Sequence, residues 1–233
     1  MFILRKSDDR GFRDHGWLQT YHTFSFSDYD HPQWRQFGSL RVLNEDFVLS
    51  NKGFGTHPHH DMEILTYVIS GTLEHQDSMG NGTQIKPREM QYMSAGTGVL
   101  HSEFNPSSDS SVHLLQIWIL PNTKGLEPRY DQIALQEEKG FHLVAAPDQK
   151  AEENIIGLRA DVWVYEGRFS EQEKFTFQPQ GSKQWIHLVE GQITINDHLL
   201  DQGDSVGIQE EPSFEITFLE ESTFLLFDMV VPL

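Results

Sequence analysis

The chain has 233 residues, a formal net charge of −18 and no cysteine. That length supplies material for one large or two small domains. The missing thiols exclude disulfides, thiolate metal ligands, iron–sulfur clusters and a cysteine nucleophile, and the negative charge argues against direct binding of a phosphate backbone.

Met1-Phe2-Ile3-Leu4-Arg5-Lys6 is too short in apolar residues for a signal peptide, and no apolar run approaches a membrane span. The expectation is a soluble, cytoplasmic protein. Short alternating or apolar runs then follow one another, separated by Gly, Pro, Asn and Asp, which is the pattern of a sandwich or barrel. Thr23–Ser27 and Leu40–Leu43 are the first. Gly53 and Gly55 mark a turn before His57-Pro58-His59, and an apolar strand, Ile64–Ile69, runs up to Gly71. Asn81-Gly82-Thr83 reads as a hairpin turn. Ala95–Leu100 is a second tight turn, feeding His101-Ser102-Glu103, and Val112–Leu120 is a long strand. The only helix expected is a turn or two near Asp131–Glu138. Asp161–Tyr165, Phe175–Phe177 and Phe224–Phe227 continue the strand pattern.

A faint internal repeat organises these runs. Tyr67–Leu73 resembles His187–Ile193, each a strand, a glycine and a returning strand, and His113–Ile117 pairs with Phe224–Asp228. The expected architecture is all-β: two similar barrels packed together, residues 1–139 and 140–233, with little helix. Counting back from the matched glycines sets Phe177 and Pro179 where His57 and His59 stand. Pro212 to Phe214 falls near the place of His101 and Glu103. The second barrel thus lacks the chemistry of the first.

That chemistry is the sharpest signal in the chain. Residues two apart on a strand point to one face, so His57 and His59 form one pair and His101 and Glu103 another. Side by side, the two strands offer three imidazoles and a carboxylate, a donor set for a first-row divalent metal. Either half alone is weak, because twelve histidines produce roughly 0.6 H-x-H pairs by chance. Two turn–strand units with matched ligands are a much rarer coincidence. His60 falls on the opposite face by the same parity. His22, His75 and His113, in strand-like runs, are read as hydrogen-bonded structural histidines, and Gln116 and Trp118 as barrel wall or pocket lining.

Longer matches extend this reading. Tyr21–Phe26, Phe37–Asp46, Gly53–His59, Met62–Ile64, Glu74–Gly80, Met93–Gly98 and His101–Asn105 resemble the pirin family of two-barrel cupins across most of residues 20–120. The resemblance implies two jelly-roll (double-stranded β-helix) barrels and one metal, usually iron, on His57, His59, His101 and Glu103. It implies Fe(II) first, with Ni, Mn, Co, Cu or Zn as other occupants. Some bacterial relatives open a flavonol ring with O₂, as quercetin 2,3-dioxygenases. The animal protein is instead a nuclear, iron-dependent transcriptional co-regulator. The implied function is therefore a quercetinase-type dioxygenase acting on a flavonol-like molecule and O₂, with Glu103 as the catalytic base and the chain as a monomer. The alternative is a non-enzymatic iron- or redox-sensing protein that engages a regulatory partner; metal-assisted isomerase or hydrolase chemistry is a third reading. Two departures stand out: His60 replaces a usual Arg, and Pro87-Arg88-Glu89-Met90 replaces a Pro-Gly-Asp turn. Many cupins draw their carboxylate from four residues beyond the second histidine, where Glu63 sits. The pirin pattern points to Glu103 and leaves Glu63 as a core or supporting carboxylate.

Overall fold

A computed structural model describes residues 1–230. Its regular structure is almost all strand, with two short 3₁₀ turns, Ser7–Asp9 and Asp148–Lys150, among the described residues. The all-β expectation holds. The helix expected near Asp131–Glu138 does not form: Arg129–Ala134 is an edge strand paired with Glu89–Ser94. An edge strand leaves its polar side chains in water, so its composition resembles that of an exposed helical turn.

The chain forms two compact units, one of Gly11–Leu135 with Leu158–Ala160, the other of Met1–Arg10, Gln136–Gly157 and Asp161–Leu233. Relative to a division at 139/140, Met1–Arg10, residues 136–139 and Leu158–Ala160 fall on the other side. Phe2–Arg5 completes the C-terminal unit by pairing antiparallel with Ser205–Gln209, a ladder between segments about 200 residues apart that no local pattern announces.

In the N-terminal unit a seven-stranded sheet runs in the order Arg129–Ala134, Glu89–Ser94, Glu63–Ser70, Val112–Ile119, Leu40–Val48, Leu18–His22, Gly11–Asp14. A four-stranded sheet runs Gly53–His59, Val99–Phe104, Leu73–Asp77, Gly82–Ile85. Val48, Val68, Leu73, Ile85, Val112 and Leu114 are packed together in one part of its core. The C-terminal unit repeats the plan, with a seven-stranded sheet and a four-stranded one ordered Lys174–Phe177, Phe214–Phe218, Gln192–Ile195, His198–Asp201.

The repeat glycines occupy matching turns. Gly71 and Gly191 have φ of +82° and +91°, where a side chain is strained. A Cβ on Gly71 would lie 2.9 Å from the Ser111 carbonyl, and one on Gly191 2.4 Å from that of Glu221. Both close approaches let a hairpin tuck against the next long strand.

Candidate metal centre

Strand Gly53–His59 carries His57 and His59, and its neighbour Val99–Phe104 carries His101 and Glu103. His101 stands opposite His57 in the ladder, but Glu103 stands opposite Phe54, so one extra residue bulges on the first strand. A bulge of this kind re-aims side chains at the rim of a sheet. Gly53 permits it, since a Cβ there would lie 2.2 Å from the Glu103 carbonyl oxygen. On its other side Val99–Phe104 pairs with Leu73–Asp77, setting His101 opposite Asp77 and Glu103 opposite His75.

Donor nitrogens of His57, His59 and His101 converge within 4.8 Å of one another. His57 Nε2 and His101 Nε2 are 3.0 Å apart. His57 Nδ1 lies 2.8 Å from the Gly55 carbonyl, which can only accept, so Nδ1 carries the proton and Nε2 presents a lone pair. The edge of Trp118 packs on His59, with ring centroids 4.8 Å apart at 82°. Burial, aided by the neighbouring His57, holds His59 neutral, its pKa pushed down to about 4. Burial also pushes His101 down to about 2, with His57 and His59 adding to the effect. Three imidazoles whose ring nitrogens converge, with burial keeping His59 and His101 neutral, are what a divalent cation binds, so the donor set fits a metal.

Glu103 is not in that triplet; its carboxylate falls within 4.8 Å of His101 and His75. It is buried and accepts a hydrogen bond from Gln116 Nε2 at 2.6 Å. Burial raises its pKa to about 7, Gln116 opposes the shift, and nearby Asp46 adds to it. Such a carboxyl is tuned for proton transfer near neutral pH.

Glu63, by contrast, is fully occupied. It accepts from the Tyr92 hydroxyl, from Ser94 Oγ at 2.6 Å and from the Arg159 backbone N–H at 3.0 Å, which makes it a core carboxylate. His60 points to solvent near Asp61. His22 is bonded to Asn44 and His113 to Glu45, the latter ring stacked on Phe47. His113 fits the structural reading; His22 is hydrogen-bonded as expected but also lines the cavity beside the triplet. His75 is hydrogen-bonded too, but to the site itself.

The triplet opens on a cavity of about 300 Å³ whose aromatic walls include Trp17, Phe26, Phe54 and Trp118. Glu103 and Gln116 line it, and so does Asp46, which sequence reasoning passed over. Asp46 is buried, accepts from Thr20, and has its pKa raised by burial to about 7. Its Oδ1 has no hydrogen-bond partner among the described residues. A signal for it existed: Asn44 and Asp46 are two apart on strand Leu40–Val48, hence on one face.

Comparison with known proteins agrees with the geometry. The Pirin family matches residues 4–119, and the quercetinase C-terminal cupin domain matches 143–229. A quercetin 2,3-dioxygenase of Escherichia coli (strain K12) is 44% identical over 230 residues, 98% of this chain and 99% of that protein. A pirin-like protein of Caulobacter vibrioides is 35% identical over 231 residues, 97% and 99% of the two chains. The crystal structure of the bacterial pirin YhhW from Escherichia coli in complex with nickel(II) superposes with a TM-score of 0.95 at 43% identity, covering 100% of each chain. Among the described residues no helix is long and apolar enough to cross a membrane.

Proposed function

This chain belongs to the pirin family, and from that premise we propose that it is a metal-dependent, quercetin 2,3-dioxygenase-like oxidoreductase. It cleaves a flavonol ring with O₂ and releases CO. One observation carries the reading: three inward-facing imidazoles and a proton-accepting carboxyl at the wall of an aromatic-lined cavity. His57, His59, His101 and Glu103 hold the metal, Fe(II) in the first instance, with Ni, Mn, Co, Cu or Zn as other occupants of the same donor set. When bound, the metal supplies Lewis acidity toward the flavonol oxygens and the redox chemistry of O₂.

The chain's own residues do the rest. Trp17, Phe26, Phe54 and Trp118 offer flat apolar surface to a planar polycyclic substrate and exclude water. Glu103, with a pKa near neutrality, receives the proton of the substrate's 3-hydroxyl at a carboxylate oxygen, while Gln116 holds the other lone pairs in register. Asp46 Oδ1 is a second acceptor for a hydroxyl on the same ring system.

Anaerobic reconstitution with Fe(II), followed by O₂ uptake and CO release with quercetin, tests the reading. Turnover that requires both metal and His101, with His101→Ala inactive, is the expected result. Stoichiometric metal binding with quercetin left intact would replace it with the metal-sensing alternative.

A further inference from the structure

We propose that Asp77 and His75 form a hydrogen-bonded relay behind His101 that fixes the ring nitrogen this histidine turns to the metal; the relay rests on the ligand reading above. His75 and Asp77 are two apart on strand Leu73–Asp77 and share a face, the same H-x-[polar] spacing that marks the ligands themselves. The adjacent ladder aligns them with Glu103 and His101.

The donor and acceptor order along the chain of groups can be settled from its far end. The Asp77 carboxylate accepts from the Met79 and Asn81 backbone N–H groups at 2.9 and 3.1 Å and from Asn81 Nδ2 at 2.8 Å. Held by three donors, it is an acceptor toward His75 Nε2, which lies 3.0 Å away, so that nitrogen carries a proton. In a neutral His75 the other nitrogen, Nδ1, is then an acceptor. It faces His101 Nδ1 at 3.5 Å, which places the His101 proton on Nδ1 and the lone pair on Nε2. That is the nitrogen 3.0 Å from the lone pair of His57 Nε2.

Two further features hold the relay in place. Both rings are buried, so water does not compete for their nitrogens, and the Tyr130 ring lies against His75 with centroids 5.1 Å apart at 30°. A carboxylate behind a ligating imidazole fixes its tautomer and orientation and increases its electron donation. His75 and Asp77 are therefore positioning residues. His75 forms a second triplet with His101 and Glu103, but it stands outside the ligand set because its Nδ1 is engaged by His101.

The test uses the whole chain, with Ni(II) dissociation constants measured by chelator competition and Co(II) electronic spectra as a report on donor number. Asp77→Asn and His75→Phe are each expected to weaken Ni(II) binding about 10–100-fold. The double variant should lose no more than the worse single one, because the relay acts as one unit. The Co(II) band pattern should keep its coordination number in both variants. Melting of the metal-free protein guards against a merely structural effect: His75→Phe should weaken Ni(II) even where its Tm matches wild type. Wild-type affinity in both single variants would overturn the relay. So would a Co(II) spectrum for His75→Phe that matches the donor loss of His101→Ala, which would make His75 a ligand. Failure of the wild-type chain to bind Ni(II) at all would overturn the metal site and the relay together, a result distinct from the other two.

Discussion

The two barrels share a plan and differ in what fills it. In the N-terminal unit His57 stands opposite His101 in the four-stranded sheet; in the C-terminal unit the corresponding pair is Phe177 opposite Phe214. Carrying the register further, Glu103 corresponds to Ile216 and His75 to Ile195. Phe177, Ile195, Phe214 and Ile216 belong to one buried apolar cluster, with the Phe177 and Phe214 rings 5.5 Å apart. One scaffold thus encloses either a polar site or a dry core, and the choice depends on a handful of inward-facing positions. The contrast also locates a cost of function. Burying Glu103, Asp46 and His101, with His57 and His59 half-buried beside them, in place of phenyl and aliphatic groups sacrifices apolar burial and leaves Asp46 Oδ1 short of a partner among the described residues.

The comparison can be broken most drastically by making the first site like the second. His57→Phe with His101→Phe should abolish stoichiometric metal binding and lower flavonol turnover at least ~10⁴-fold, the scale on which linked catalytic groups act. The fold should survive, as judged by circular dichroism. Next is Glu103→Gln, which keeps the shape and most of the metal while removing the proton acceptor. Turnover should fall about 10²–10⁴-fold, with metal content near wild type; undiminished turnover would remove Glu103 as the base.

Matched truncations sharpen the contrast in stability. Phe214→Ala should destabilise the protein by about 3–5 kcal/mol, the cost of a cavity in a packed core. His101→Ala in metal-free protein should cost less, because the ring it removes is a buried polar group whose desolvation is unfavourable rather than a phenyl ring in an apolar core. Denaturant titration of both variants measures the difference.

The smallest expected effect concerns Asp46, whose folded pKa, pushed up by burial to about 7, stands above its ordinary value of 3.8. The folded state binds the proton more tightly, so the stability from this group is present below pH 3.8 and is lost as pH rises toward 7. Asp46→Asn should therefore raise the Tm of the metal-free protein at pH 8 by about 5 °C, with little gain at pH 4. The same variant should raise KM for the flavonol if Oδ1 is the hydroxyl acceptor.

Much of this was legible in the linear chain because strand parity is a local rule. H-x-H and H-x-E each place two ligands on one face without reference to the rest of the fold, and turn glycines bracket each pair. The resemblance then joined the two halves. The repeat was legible for the same reason, since Gly71 and Gly191 mark the same left-handed turn. Asp131–Glu138 misled because an exposed edge strand and an exposed helical turn draw on the same polar residues. His75 looked structural because its partners come from its own strand and from the facing one, a pairing set by the ladder. The loss of the ligands from the second barrel was visible by counting, but the register moves the second pair to Phe214 and Ile216. Counting from one glycine cannot see the bulge between His101 and Glu103.

By itself the sequence determined the all-β class, the two-barrel repeat and the identity of four metal-binding candidates, each of which rests on side-chain chemistry and two-residue periodicity. Tertiary structure alone decided how the two candidate carboxylates differ: Glu63 takes its hydrogen bonds from Tyr92, Ser94 and the Arg159 backbone, whereas Glu103 lines the cavity and takes one from Gln116. It also decided that Asp46 faces the cavity and that Asp77 stands behind His101. It decided as well that Phe2–Arg5 joins the distant unit. These are contacts across many residues of chain, fixed by ladder register and packing, and no local pattern encodes them.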